Sequence, residues 1–129
     1  MSSSTLYKSG RTLHQKGDLS GAAELYRLAV AADPSNADAL HMLGVAALQL
    51  SLPEAAVETI KKALTHRPQF PEAWGNLGTA LKILGRTDES EIALNRAISE
   101  GPNIAPLHFN LGNFLAAERG LEDAEDSYR

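Results

Sequence analysis

The chain has 129 residues, of which 43% are hydrophobic and 22% charged: enough apolar content for a core, and too much for a disordered chain. It contains no Cys, which excludes a disulfide framework, a zinc–thiolate site and a thiol nucleophile. A net charge of −4 and a pI of about 5.5 argue against bulk nucleic-acid binding. No apolar run approaches the roughly 18 residues of a membrane span, and Met1–Thr5 offers no apolar signal core, so a cytoplasmic location is expected.

Ala (20) and Leu (19) dominate while β-branched and aromatic residues are scarce, which favours helix over sheet. Internal repetition then organises the chain. Gly10, Gly44, Gly78 and Gly112 lie 34 residues apart, as do Pro34, Pro68 and Pro102, and Ala29, Ala63 and Ala97. The same spacing relates Ala22, Ala56, Ser90 and Ala124, and the large residues Tyr26, Ile60, Leu94 and Tyr128. Five series in one register define units at 3–36, 37–70 and 71–104, with an incomplete fourth at 105–129.

Each unit reads as helix, short turn, helix. In the second, Leu40, Leu43, Ala47 and Leu50 recur at helical spacing, followed by Ala56, Val57, Ile60, Ala63 and Leu64. Pro53 suits a first helical turn, where its missing N–H is no loss. In the third unit Trp74, Leu77, Leu81 and Leu84 are followed, after Gly85-Arg86-Thr87, by Ile92, Leu94, Ala97 and Ile98. Pro34, Pro68 and Pro102 disfavour α geometry in the preceding residue and stop each second helix there. A mid-helix Gly costs about 1 kcal/mol against Ala. The small-residue series suggests the compensation, with Gly44 facing Ala56 and Gly78 facing Ser90 so that two helices approach closely.

The pattern Trp74, Leu77-Gly78, Leu81, Ser90, Leu94, Ala97, Pro102 resembles the tetratricopeptide repeat. The resemblance covers residues 3–129; Leu6, Leu40 and His108 stand in place of the Trp, Ser9 in place of the Leu before Gly10, and Ser90 in place of an Ala. It implies an all-α, right-handed superhelix, a solenoid in which each unit contacts its neighbours and the first helices line a concave groove. It further implies a non-enzymatic module binding a protein or peptide partner there. The groove positions would include Tyr7 and Arg11 in the first unit, His41, Met42 and Val45 in the second, Asn76, Thr79 and Lys82 in the third, and Phe109, Asn110 and Asn113 in the fourth.

Asn76 and Asn110 occupy equivalent positions and resemble two rungs of an asparagine ladder, in which each amide can both donate to and accept from one peptide unit of a ligand. The family's other binding mode, a cationic clamp for a C-terminal carboxylate, is poorly matched. Its positions hold Tyr7, Arg11, Met42, Glu72 and Asn76, or one unit later His41, Val45, Asn76, Pro106 and Asn110.

Signals for catalysis are weak. Gly75-Asn76-Leu77-Gly78 lies within a helix and lacks the Lys-Ser/Thr of a phosphate loop. His14, His41, His66 and His108 have no metal-ligand spacing, so neither metal nor cofactor is expected. The alternative readings are a substrate-recognition arm of a larger enzyme of the O-linked N-acetylglucosamine transferase type, and a self-assembly module whose uncapped C-terminal edge stacks on another chain. The chain is expected to continue beyond Arg129. Formal charge falls along it: +1 over 1–36 (four basic, three acidic), 0 over 37–70 (three and three), −2 over 71–104 (three and five) and −3 over 105–129 (two and five).

Overall fold

The computed structural model describes residues 1–101, and among these every regular element is an α-helix. The chain divides into two compact units, Met1–Gln69 and a second beginning at Phe70. In the first unit lie α1 (Ser3–Gln15), α2 (Leu19–Ala32), α3 (Ala37–Gln49) and α4 (Pro53–His66). The second unit contains α5 (Pro71–Ile83) and α6 (Thr87–Glu100). Successive helices form the antiparallel hairpins α1–α2, α3–α4 and α5–α6, and in the first unit α2 also packs on α3. Gly112, Ala124 and the fourth unit as a whole lie outside the described residues.

The three hairpin turns share one hydrogen-bond scheme. After α1, Gly17 N–H donates to the His14 carbonyl (3.0 Å) and Asp18 N–H to that of Leu13 (2.9 Å). After α3 the pairs are Ser51 to Leu48 (3.0 Å) and Leu52 to Ala47 (2.8 Å); after α5 they are Gly85 to Lys82 and Arg86 to Leu81, both 2.9 Å. This is the Schellman closure, which satisfies terminal carbonyls by placing one residue in the left-handed region. Gly17 (φ 89°) and Gly85 (φ 77°) adopt that conformation freely, whereas the second repeat uses Ser51 at φ 64°.

The second helices end as the proline series requires. Asp33 (φ −148°, ψ 97°), Arg67 (−139°, 86°) and Gly101 (−140°, 66°) leave helical geometry immediately before Pro34, Pro68 and Pro102. In the first unit the chain then starts α3 with an Asn36 cap, whose Oδ1 accepts from Ala39 N–H at 3.0 Å. The same side chain ties two repeats together. Asn36 Nδ2 donates to Ser3 Oγ (2.9 Å), and Ser3 Oγ donates to the Ala29 carbonyl (2.7 Å). In the second unit a buried Phe70 stands at the corresponding N-cap; its backbone N–H instead donates to a Glu100 carboxylate oxygen at 3.2 Å.

The glycine series packs differently from the small-on-small arrangement expected from the sequence. A Cβ built on Gly10 would lie 2.7 Å from the Tyr26 ring, and one on Gly78 2.5 Å from Leu94; on Gly44 it would meet Ile60. The small partners contribute their backbone instead, since the carbonyls of Ala22, Ala56 and Ser90 lie 3.3–3.4 Å from those positions. Each glycine is therefore a hole that accepts the large side chain of the facing helix. Tyr26 and Ile60 are 0% exposed and Leu94 1%. Where Ser90 replaces Ala, its hydroxyl is fully buried and donates to the Gly78 carbonyl at 2.6 Å, so the extra oxygen is satisfied.

Two stability changes follow. Ser51→Gly should stabilise the chain by about 0.5–1 kcal/mol, because relief of left-handed strain exceeds the entropy that glycine adds to the unfolded chain. Gly44→Ala gains helix propensity but drives a methyl into Ile60, and should cost a net of about 1–2 kcal/mol. Urea denaturation of the three proteins checks both signs; a destabilised Ser51→Gly or a stabilised Gly44→Ala would contradict them.

Candidate functional site

The hairpin packing uses one side of each first helix and leaves another side for other work. In the first unit that side carries Tyr7 and Arg11 on α1 and Asp38, His41, Met42 and Val45 on α3. Tyr7 and Met42 pack, half-buried, against the core of Ala22, Tyr26 and Ala46. The Tyr7 ring lies 6.1 Å from that of Tyr26. Arg11, one turn after Tyr7, donates from Nη1 to the Tyr7 hydroxyl at 3.0 Å and sets its guanidinium 5.9 Å from the ring centroid. The phenol holds the Arg11 pKa above its ordinary value, chiefly through this hydrogen bond.

Arg11 lacks a carboxylate partner among the described residues, whereas Arg67 has one. Arg67, at the end of α4, forks onto Asp38 at the start of α3, with Nη1–Oδ1 2.8 Å and Nη2–Oδ2 3.2 Å. That hydrogen bonding holds the Asp38 carboxyl below its usual range. His41 follows Asp38 by three residues and is only 7% exposed. Burial pushes its pKa down to about 4; Asp38 pulls the other way, and the Arg67 and Arg11 charges reinforce the depression. His41 is thus neutral at pH 7 and nearly covered, which leaves it little surface to offer a ligand.

A second histidine links the repeats. His14 Nδ1 lies 2.9 Å from the Tyr26 hydroxyl, and its Nε2 meets Gln49 Oε1 on α3. An amide oxygen only accepts, so Nε2 carries the proton and Nδ1 accepts from Tyr26. Burial pushes the Tyr26 hydroxyl up to about 12, so it remains a donor. Val45 is half-buried on α3, without a polar role.

In the second unit Asn76, Thr79 and Lys82 follow one another at intervals of three along α5 and share a face, all half-buried. Thr79 Oγ1 donates back to the Gly75 carbonyl at 3.1 Å. Partial burial alone lowers the Lys82 pKa. Behind this face, Arg96 of α6 stacks 4.4 Å from the Trp74 ring centroid and donates through Nε to Glu100 at 2.9 Å. The three remaining expected contact residues, Phe109, Asn110 and Asn113, lie outside the described residues.

Arg67 and the polar role of Tyr26 are not marked by the repeat pattern, whereas Gln49 falls at an expected groove position of the second repeat and is taken up by His14. Arg67 had a signal available: at its separation of 29 from Asp38, the other repeats hold Ser4 with Asp33 and Glu72 with Gly101, so only the second repeat pairs opposite charges. Among the described residues no group of three or more His, Asp or Glu could hold a metal ion, and no helix is long and apolar enough to cross a membrane.

Repeated helix hairpins closed by the same turn and the same glycine–large residue interlock define a helical-repeat protein. Family comparison makes this specific: a family model described as "Tetratricopeptide repeat" matches residues 41–105, and one described as "TPR repeat" matches residues 10–51. The chain belongs to the tetratricopeptide repeat family. The BBSome complex member BBS4 of Bos taurus is 33% identical over 125 residues, covering 89% of this chain and 24% of that protein. Among solved structures, the first tetratricopeptide domain of Spaghetti (RPAP3), bound to an HSP90 peptide, matches with a TM-score of 0.83 at 20% identity over 90% of this chain and 92% of that one. A mutant of the Thermobaculum terrenum O-GlcNAc transferase matches with a TM-score of 0.84 at 21% identity, over 88% of this chain and 22% of that one. The chain spans about a quarter or less of the length of the curated relatives it matches.

The buried His41 makes stability depend on pH. An unfolded His takes up its proton near pH 6.5, while the folded one resists to about pH 4, so the unfolded state binds more protons between those values. Stability is therefore full above about pH 6.5 and declines as pH falls towards 4, by about 2–3 kcal/mol for this group. Asp38, with its depressed pKa, adds a loss only at lower pH, as acid reaches its folded-state range. Chemical denaturation of the wild type and of His41→Met across pH 7.5–4 checks this: the wild type should lose about 2–3 kcal/mol more than the variant as pH falls, and parallel curves would exclude the assignment.

Proposed function

We propose that the chain is a non-catalytic protein-interaction module that holds an extended or helical segment of a partner protein against the first helices of its repeats. The observation that carries this reading is the Tyr7–Arg11–Met42 surface of the first unit. It combines an oriented aromatic ring and a flexible apolar side chain, both half-buried against the hairpin core, with an exposed guanidinium that has spare donors. The bond to Tyr7 fixes the Arg11 side chain in advance, so less side-chain entropy is lost when a ligand arrives. On α5, Asn76 supplies an amide able to both donate and accept, suited to a peptide backbone. Further support comes from a shared fold: the Spaghetti (RPAP3) domain is bound to an HSP90 peptide. In this reading the units are the 34-residue repeats at 3–36, 37–70 and 71–104 and the incomplete one at 105–129, and the last contributes Phe109, Asn110 and Asn113.

The test is a pull-down with the 129-residue chain, reduction of the captured partner to its shortest binding segment, and titration of that segment. Asn76→Ala combined with Asn110→Ala should weaken binding by about tenfold, equivalent to about 1.4 kcal/mol, while far-ultraviolet circular dichroism stays unchanged. Tyr7→Ala should weaken it similarly. Undiminished affinity in both variants would remove the first-helix faces as the binding surface.

A further inference from the structure

The second unit contains three basic residues among those described, Lys82, Arg86 and Arg96, and they are treated unequally. Arg86 pairs with Glu89 at 2.6 Å and Arg96 with Glu100 at 2.9 Å, the two arginine side chains 44% and 47% exposed. Lys82 is half-buried and has no carboxylate partner among the described residues. The charge that most needs a counter-ion is therefore the one that lacks it. The last turn of α5 provides carbonyls of favourable polarity, but they do not offset the burial, because the Lys82 pKa is still depressed. The lysine pair of α4 is placed differently: Lys61 and Lys62 are both exposed.

Lys82 also lies on the face that carries Asn76 and Thr79, the face assigned above to ligand. The acidic residue on the same helix, Glu72, is ten residues away, about 15 Å along the axis. That exceeds the screening length of about 8 Å at physiological salt, so Glu72 does little to repel an anion at Lys82.

We propose that Lys82 selects the partner segment: it pairs with an Asp or Glu side chain of the bound peptide, which supplies the counter-charge that no described residue provides. This rests on the peptide-binding reading and narrows it to segments bearing an internal carboxylate.

The probe is a phage-displayed library of random dodecapeptides selected against the full chain. Selected peptides should be enriched in Asp or Glu. Replacing that acid by its amide, or making Lys82→Met, should each weaken binding by about tenfold without adding when combined. Lys82→Arg should restore affinity, and Lys61→Met should leave it unchanged. Lysine side-chain NMR gives a second readout: peptide should raise the Lys82 titration and leave Lys61 and Lys62 in place. Binders without acidic enrichment, or binders indifferent to Lys82→Met, would overturn the assignment and leave the peptide-binding reading standing. A library that yields no binder at all would overturn both.

Discussion

The structure depends on one steric relation, repeated three times: a glycine on the first helix of each hairpin receives a large side chain from the second. Tyr26, Ile60 and Leu94 each occupy a space that a single methyl at Gly10, Gly44 or Gly78 would close. The relation fixes how near the two helices come and which face of the second helix turns inward. The tight turn then follows, since helices this close need an abrupt reversal, and the Schellman closure with a left-handed residue provides it. Nothing in this interlock is ionic. The charges of each repeat are left to other tasks, and the first helices carry Tyr7 and Arg11, then His41 and Met42, then Asn76 and Lys82 away from the glycine interlock.

Departures from the repeat pattern are absorbed close to where they occur. Ser90 adds an oxygen to a sealed interface and gives its proton to the carbonyl of the very glycine whose space it shares. Phe70 replaces a polar helix cap and is buried, while Glu100 reaches across from α6 to satisfy its N–H. Ser51 has no such compensation: it holds a left-handed conformation that glycine holds in the other two turns. The first two exchanges keep every buried polar group paired, and among the described residues no buried side-chain nitrogen or oxygen lacks a partner.

The period, the helix–turn–helix units and the proline stops were legible because each arises from local backbone restriction that recurs at fixed spacing. The glycine series was legible too, and Ala56 and Ser90 do face it through their carbonyls, but the side chain that fills the space was not foreseen. Small residues at Ala56 and Ser90 suggested direct contact, whereas the hole belongs to Ile60 and Leu94, one turn further along the second helix. Sequence pattern locates a close approach without saying which atoms fill it. Likewise, the turn position of Ser51 was hidden because only glycine advertises a positive φ. Candidate site residues were harder. Periodicity placed Tyr7, Arg11, His41 and Met42 on first helices, yet His41 is sealed while Arg11 is exposed, a difference of packing that helical spacing alone does not set.

Arg11 and Arg67 show how one fold can carry different recognition chemistry. Both are arginines near the same pair, Asp38 and His41, and each acts on the His41 charge state. Arg67 spends its fork on Asp38, closing that carboxylate to outside partners and joining the two ends of the second hairpin. Arg11 is held by a neutral phenol, which orients a cation without neutralising it. With Asp38 paired to Arg67 and His41 uncharged, the Arg11 charge is left without an ion-pair partner among the described residues. Two arginines on neighbouring elements thus differ in what they leave over: one closes a carboxylate, and the other keeps its charge while a phenol holds its direction.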